Sequence, residues 1–170
     1  MTQRTDSFDI GRLGLSSGAG RRLALDVTVD PLELGGQRYA VASGSVQATV
    51  DVAHMTGGYS LRLRYEAALA GPCVRCLEDA RHVVVVDARE VDQPGGGEEL
   101  DSPYLDQELL DLRGWARDAL ALALPAQIVC RDECLGLCSV CGENLNAAPG
   151  HAHERAPDPR WAALRELRLE

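Results

Sequence analysis

VQATVDVAHMTGGYSLRLRYEAALA, residues 46–70, reads as two β-strands joined by a turn. Val46, Ala48, Val50 and Val52 share one face of the first strand, and Leu61, Leu63, Tyr65, Ala67 and Leu69 share one face of the second, because side chains alternate sides along an extended chain. Between them His54-Met55-Thr56-Gly57-Gly58 supplies turn residues. The pattern predicts a hairpin with one buried face.

Outward from that hairpin the same period continues. Leu23, Leu25, Val27 and Val29 predict a strand upstream, and a further strand is expected near 82–91 downstream. The segment 92–108 holds Gly95-Gly96-Gly97, two prolines and six acids with no base. Such a composition buries little apolar area and predicts an acidic connecting loop. From Asp111 to Leu124 the period becomes helical, with Leu112, Trp115, Ala116, Ala119, Leu120, Ala123 and Leu124 on one face. Asp111 is the expected N-cap, Pro125 the stop, and Trp115 a core residue rather than a binding platform. A last short helix is expected from Asp158-Pro159, turning Trp161, Leu164 and Leu167 toward the body.

The expected fold class is therefore α+β: an antiparallel β-sheet, which can be barrel-like, with a packing helix, a Cys-rich zinc module and a short C-terminal helix. With 170 residues the chain suits one main domain and a small appendage. The boundaries read as 1–125 for the sheet domain and 126–170 for the Cys-rich module.

Charge and hydropathy narrow the function classes. No apolar run approaches the roughly 20 residues that span a bilayer, and the polar start, Met1 to Ile10, predicts neither insertion nor export. The expected location is the cytoplasm. A net charge of -9 opposes nonspecific binding to nucleic acid, whose phosphates dominate such binding. All 17 basic residues are arginine; this fits a guanidinium-specific use such as phosphate recognition, but codon bias in a GC-rich genome is the favoured reading.

The six cysteines occupy two places, Cys73-Val74-Arg75-Cys76 and the run Cys130, Cys134, Cys138, Cys141. Zinc takes four soft donors in a tetrahedron, and cysteines two to four residues apart are how a short peptide supplies them. Cys138-Ser139-Val140-Cys141-Gly142 has the form of a zinc knuckle, and His151 and His153 follow ten residues on. Two ligand partitions satisfy the spacing. In one, Cys73 and Cys76 join Cys138 and Cys141, leaving Cys130 and Cys134 to the histidines; in the other, Cys130, Cys134, Cys138 and Cys141 form one compact site. Disulfides would need an oxidising compartment. A redox switch at Cys73 and Cys76 would normally sit at a helix N-terminus, whereas here the setting is a hairpin. Thiolate-rich sites are usually closed and structural, and Glu133 and Glu143 read as a solvated face. The sequence shows no nucleophile elbow, phosphate-cradling glycine loop or deaminase motif. No catalytic residue and no enzymatic activity is expected.

The order of these pieces, Cys73 to Glu78 as CVRCLE, an acidic loop, LALALP at 120–125, CRDECLGLCSVCGENLN at 130–146 and DPRWAALRELR at 158–168, resembles the YceD family of bacterial proteins. The resemblance implies a role in accumulation or processing of large-subunit (23S) ribosomal RNA, hence in ribosome biogenesis, with large-subunit rRNA or an assembly protein as partner and no established enzymatic activity. Family members often end the cysteine segment with C-x-C; here His151-Ala152-His153 stands in that place and keeps two metal donors. The competing readings are a zinc- or redox-responsive regulator and a metal-dependent nuclease or hydrolase. Direct RNA contact would be expected from Arg62, Arg64, Arg75 and Arg81, placed around the hairpin that holds Cys73 and Cys76.

Overall fold

The computed structural model describes residues 5–148 and 150–153; the helix expected from Asp158 lies outside them. Among the described residues the chain runs through β1 (Ser7–Asp9), β2 (Gly20–Thr28), β3 (Leu32–Leu34), β4 (Gln37–Val41), β5 (Ser45–Met55), β6 (Gly58–Pro72), β7 (Asp79–Asp92), β8 (Leu105–Asp106), β9 (Leu109–Asp111) and α1 (Leu112–Ala123).

Strand β6 is the spine. Its 15 residues pair along one edge with β7, from Tyr59 opposite Asp92 to Pro72 opposite Asp79. Along the other edge they pair first with β5 and then, at Ala70 and Leu69, with β4. The expected β5–β6 hairpin forms, with Met55 opposite Gly58. Register aligns the apolar residues into rows, such as Leu23, Val50, Leu63 and Ala88 across four strands. This is the physical meaning of the period-two pattern, since facing residues on paired strands lie on the same side of the sheet.

Helix α1 covers that side. Leu112, Trp115, Ala116, Ala119 and Leu120 are buried against the sheet, and the Asp111 side chain accepts from Gly114 N at 2.9 Å, the N-cap that the sequence predicts. The helix stops at Ala123, and Leu124 before Pro125 is extended. A second small sheet, in the order β1, β9, β8, leads directly into α1. Arg113 fastens the helix start to Asp30, with Nε and Nη2 donating at 2.8 and 2.6 Å.

The sheet does not close, which corrects the barrel-like expectation. Among the described residues β2 pairs only with β5 and β7 only with β6. Both of these outer strands contact α1 instead, so the helix fills the side on which a barrel would have had to curl. The acidic segment also has more structure than a connecting loop. It holds a 3-10 turn at Glu98–Leu100 and strand β8, and Ser102 N donates to the buried Asp92 carboxylate at 3.0 Å. Among the described residues no helix is long and apolar enough to cross a membrane.

Candidate metal centres

At one end of the sheet, residues 73–78 cap the β6–β7 hairpin, with Tyr39 buried beneath the tip and donating to Pro72 O at 2.8 Å. The chain leaving α1 returns to this tip. Val74 N donates to Ile128 O at 3.0 Å and Leu137 N to Arg75 O at 3.1 Å. Arg75 Nη1 donates to Cys134 O at 3.1 Å and its Nη2 to Gln127 Oε1 at 3.3 Å. Gly136 makes the approach possible: its φ is +77°, and a Cβ there would stand 3.1 Å from Arg75 O.

The two C-x2-C segments have the same internal construction. In the first, Cys73 N donates to Glu78 O at 2.7 Å and Leu77 N to Cys73 O at 3.0 Å, while Arg75 N points at Cys73 Sγ at 3.4 Å. In the second, Cys138 N donates to Glu143 O at 2.8 Å and Gly142 N to Cys138 O at 2.9 Å, while Val140 N points at Cys138 Sγ at 3.5 Å. The residue after the second cysteine is left-handed in both, Leu77 at φ 64° and Gly142 at φ 76°. Each segment is thus a tight knuckle that presents two sulfurs on one side and aims backbone N–H groups at the first.

Eight donors gather into two clusters, Cys73, Cys76, Cys130 and Cys134 in one and Cys138, Cys141, His151 and His153 in the other, each with its ligand atoms within 4.8 Å of one another. All eight residues singled out from the sequence are brought together. Neither sequence-level partition is the one formed. The hairpin cysteines join Cys130 and Cys134, not Cys138 and Cys141, because the chain after α1 meets the tip first and the second knuckle lies beyond it.

Either cluster can hold a metal ion. In the first, Cys73 Sγ and Cys134 Sγ are 3.8 Å apart, and Cys76 Sγ and Cys130 Sγ 3.6 Å. A tetrahedral ion with metal–sulfur distances of about 2.3 Å has sulfur–sulfur edges of about 3.8 Å, whereas a disulfide would bring the sulfurs to about 2.05 Å. The spacing fits an ion. Cys73, Cys76 and Cys134 are buried and Cys130 partly so, so this first cluster is largely shielded from solvent. In the second, His151 Nε2 and His153 Nε2 each lie 3.2 Å from Cys141 Sγ and 2.9 Å from each other. These edges are a few tenths of an ångström shorter than the roughly 3.3 to 3.5 Å of an ideal mixed sulfur and nitrogen tetrahedron. Cys141 and His153 are exposed, so this cluster sits at the surface.

The thiols of the first cluster do not titrate alike. Burial raises Cys73, but N–H groups of Cys76, Arg75 and Cys130 outweigh it and bring the thiol down to about 6. For Cys76 the Glu78 N–H pulls down, yet burial and the Cys134, Cys130 and Cys73 sulfurs together push it up to about 12. Burial likewise raises Cys130. Four sulfurs this close cannot all carry charge unless a cation stands among them. Asn146 supplies outer support: its Nδ2 donates to Cys134 Sγ at 3.4 Å, lowering that thiol, and its Oδ1 accepts from Leu135 N at 2.9 Å. In the second cluster the Cys141 and Val140 N–H groups pull Cys138 down to about 6. Sequence reading missed Asn146 and Asn144, although GENLN directly follows the knuckle.

The arginines expected around the tip are distributed otherwise. Arg62 and Arg64 lie nine or more residues from Cys73 along β6, roughly 30 Å at strand rise. Arg62 pairs with Asp87 and Arg64 with Asp51. Arg75 braces the downstream loop. Of the four, Arg75 and Arg81 lie near the tip, because a 15-residue strand separates what the linear sequence places close together.

Comparison with known proteins supplies the remaining finding. Residues 61–168 match the family model described as large ribosomal RNA subunit accumulation protein YceD. An uncharacterized protein of Mycobacterium tuberculosis is 35% identical over 168 residues, covering 95% of this chain and 80% of its own length; one of Mycobacterium bovis matches equally. A third, from Mycobacterium leprae, is 30% identical, covering 94% of this chain and 76% of its own. No solved structure matches.

Proposed function

The chain belongs to the YceD family of large ribosomal RNA subunit accumulation proteins, and from that premise we propose that it is a noncatalytic factor of ribosome biogenesis acting in the cytoplasm. It supports accumulation or processing of large-subunit rRNA, with zinc ions in both cysteine clusters as structural elements. The observation that carries the metal part is the first cluster, with four cysteine sulfurs within 4.8 Å of one another, two pairs of them at about a tetrahedral edge, three on buried residues, drawn from two separate chain segments. Thiolate softness and tetrahedral shape favour zinc among abundant divalent ions. A closed four-sulfur site leaves no position for a reacting water. Binding energy of the ion then goes into holding the hairpin tip and residues 128–146 together.

Depletion of the protein is expected to lower mature large-subunit rRNA while sparing the small-subunit RNA, measured by quantitative RNA separation. Equal loss of both would remove this reading. Purified protein, with both clusters loaded, is expected to leave precursor rRNA uncut. Metal-dependent cleavage would show that the protein is a nuclease.

A further inference from the structure

The sheet face turned away from α1 has a charge pattern unlike the rest of the chain. Register sets Arg22, Asp51, Arg62 and Arg89 in one straight row across β2, β5, β6 and β7. In the next row on the same face stand Gly20, Ala53 and Ser60, with Val91 at its β7 end beside Arg89. Short side chains there leave a dip beside the arginines. It is a concavity of about 370 Å³ whose lining includes Gly20, Arg22, Asp51, Ala53, Ser60 and Arg62.

Four guanidinium groups, those of Arg22, Arg62, Arg64 and Arg89, stand with two carboxylates, Asp51 and Asp87, at this end of the face, within a chain of net charge -9, while Asp26 and Glu66 lie farther along it. Arg62 stands directly opposite Arg89, an arrangement of like charges that costs stability in a sheet. The carboxylates act as braces. Asp87 accepts from Arg62 Nε and Nη2 at 2.7 and 2.5 Å, and Asp51 accepts from Arg22 Nε and Arg64 Nη2, each at 2.6 Å. A guanidinium has five N–H donors, so each arginine keeps several free for a further acceptor. Held by their carboxylates, Arg22, Arg62 and Arg64 lose less freedom on binding. The lining contains no aromatic ring, so the site offers nothing on which a base could stack.

We propose that this concavity, with the arginine row that continues past it, binds the phosphodiester backbone of RNA, with Arg22 and Arg62 in the lining and Arg89 at the end of the row as the anion-binding residues and Ser60 beside them. The inference rests on the reading that large-subunit RNA is what the protein serves, and it names the surface that would touch it. Contact with phosphates rather than bases makes the binding salt-dependent and indifferent to sequence.

The test is a fluorescence-anisotropy titration of the full-length, zinc-loaded protein with a labelled 12-nucleotide RNA, at several salt concentrations between 50 and 200 mM. Three phosphate contacts to a single strand predict a log–log salt slope of about -2. The combined variant Arg22→Gln, Arg62→Gln, Arg89→Gln is expected to lose at least tenfold in affinity and most of that slope. The remote variant Arg12→Gln, Arg38→Gln, Arg131→Gln is expected to bind as the wild type does. Ala53→Glu, which breaks no ion pair, is expected to abolish binding if the triple variant fails to fold. No measurable binding, equal losses in both triple variants, or full binding by Ala53→Glu would each overturn the proposal. Competition by inorganic phosphate or a mononucleotide as effective as by RNA would assign the site to small anions and overturn it too. In a depleted strain, a binding-deficient variant that restores rRNA fully would sink the site while leaving the family reading intact; failure of the wild type to restore it would sink that reading regardless of the titration.

Discussion

Leu77 and Gly142 hold the same left-handed position in two knuckles of the same design, and they should answer substitution in opposite ways. A side chain in that conformation costs about 1 kcal/mol or more. Leu77 is more than half exposed, so Leu77→Gly removes strain and little packing; a thermal midpoint equal to or above wild type is expected. Gly142→Val should lower metal affinity at the second cluster and leave the first alone, read by competition with a chromogenic chelator; equal weakening of both would refute the separation. Asn146→Ala should weaken the first cluster roughly 10- to 100-fold, as loss of outer support does elsewhere, and an unchanged affinity would show Asn146 to be a spectator. Acid stability isolates Asp51, whose carboxyl is held below its usual range by the Arg22 hydrogen bond and, against some desolvation, by Arg64. A depressed folded value stabilises fully above the unfolded value near about 4 and is lost as pH falls through the folded one. The stability gap between wild type and Asp51→Asn, from urea midpoints, should therefore narrow between pH 5 and pH 2.5; a constant gap would contradict the pairing.

The elements were legible wherever one face is buried. Val46 to Val52 alternate without a break and Leu61 to Ala67 likewise, with Ala68 the first apolar residue on the outer face, so their strands, facing residues and joining turn could be read directly. Strands β1, β3, β4, β8 and β9 were not legible, because three to five residues, or two in β8, are too few to show a period. One signal was available and passed over: Gly35-Gly36 between LEL and QRYAV is a two-residue hairpin loop. The open sheet was beyond reach for another reason, since closure depends on whether α1 occupies the gap between β2 and β7. The N-cap offers a measure of how firmly it does so. Asp111→Ala should cost about 1 kcal/mol, measured by denaturant unfolding, and a loss below a few tenths would mean that the Arg113–Asp30 pair alone fixes the helix start.

At the scale of the whole molecule the eight donors were readable as a set, but their grouping was not. Spacing reports which cysteines are close in the chain, whereas the fold decides which knuckle meets which. Elemental analysis is expected to find two zinc ions per chain, one after Cys130→Ser and one after His151→Ala. Only Cys130→Ser should free the hairpin tip, seen as rapid amide exchange at Val74 and Leu137, whose N–H groups bond across the junction. One ion in the wild type would reject the two-centre arrangement. The first cluster also spans 54 residues between Cys76 and Cys130, and this bears on biosynthesis. As the nascent chain emerges, the tip cysteines are made early and must wait through β7, the acidic segment and α1 for their partners. Until then a pair of thiols stands uncovered at the end of a nearly finished sheet, so a metal ion held at this site would be captured late, only by chains translated beyond Cys134.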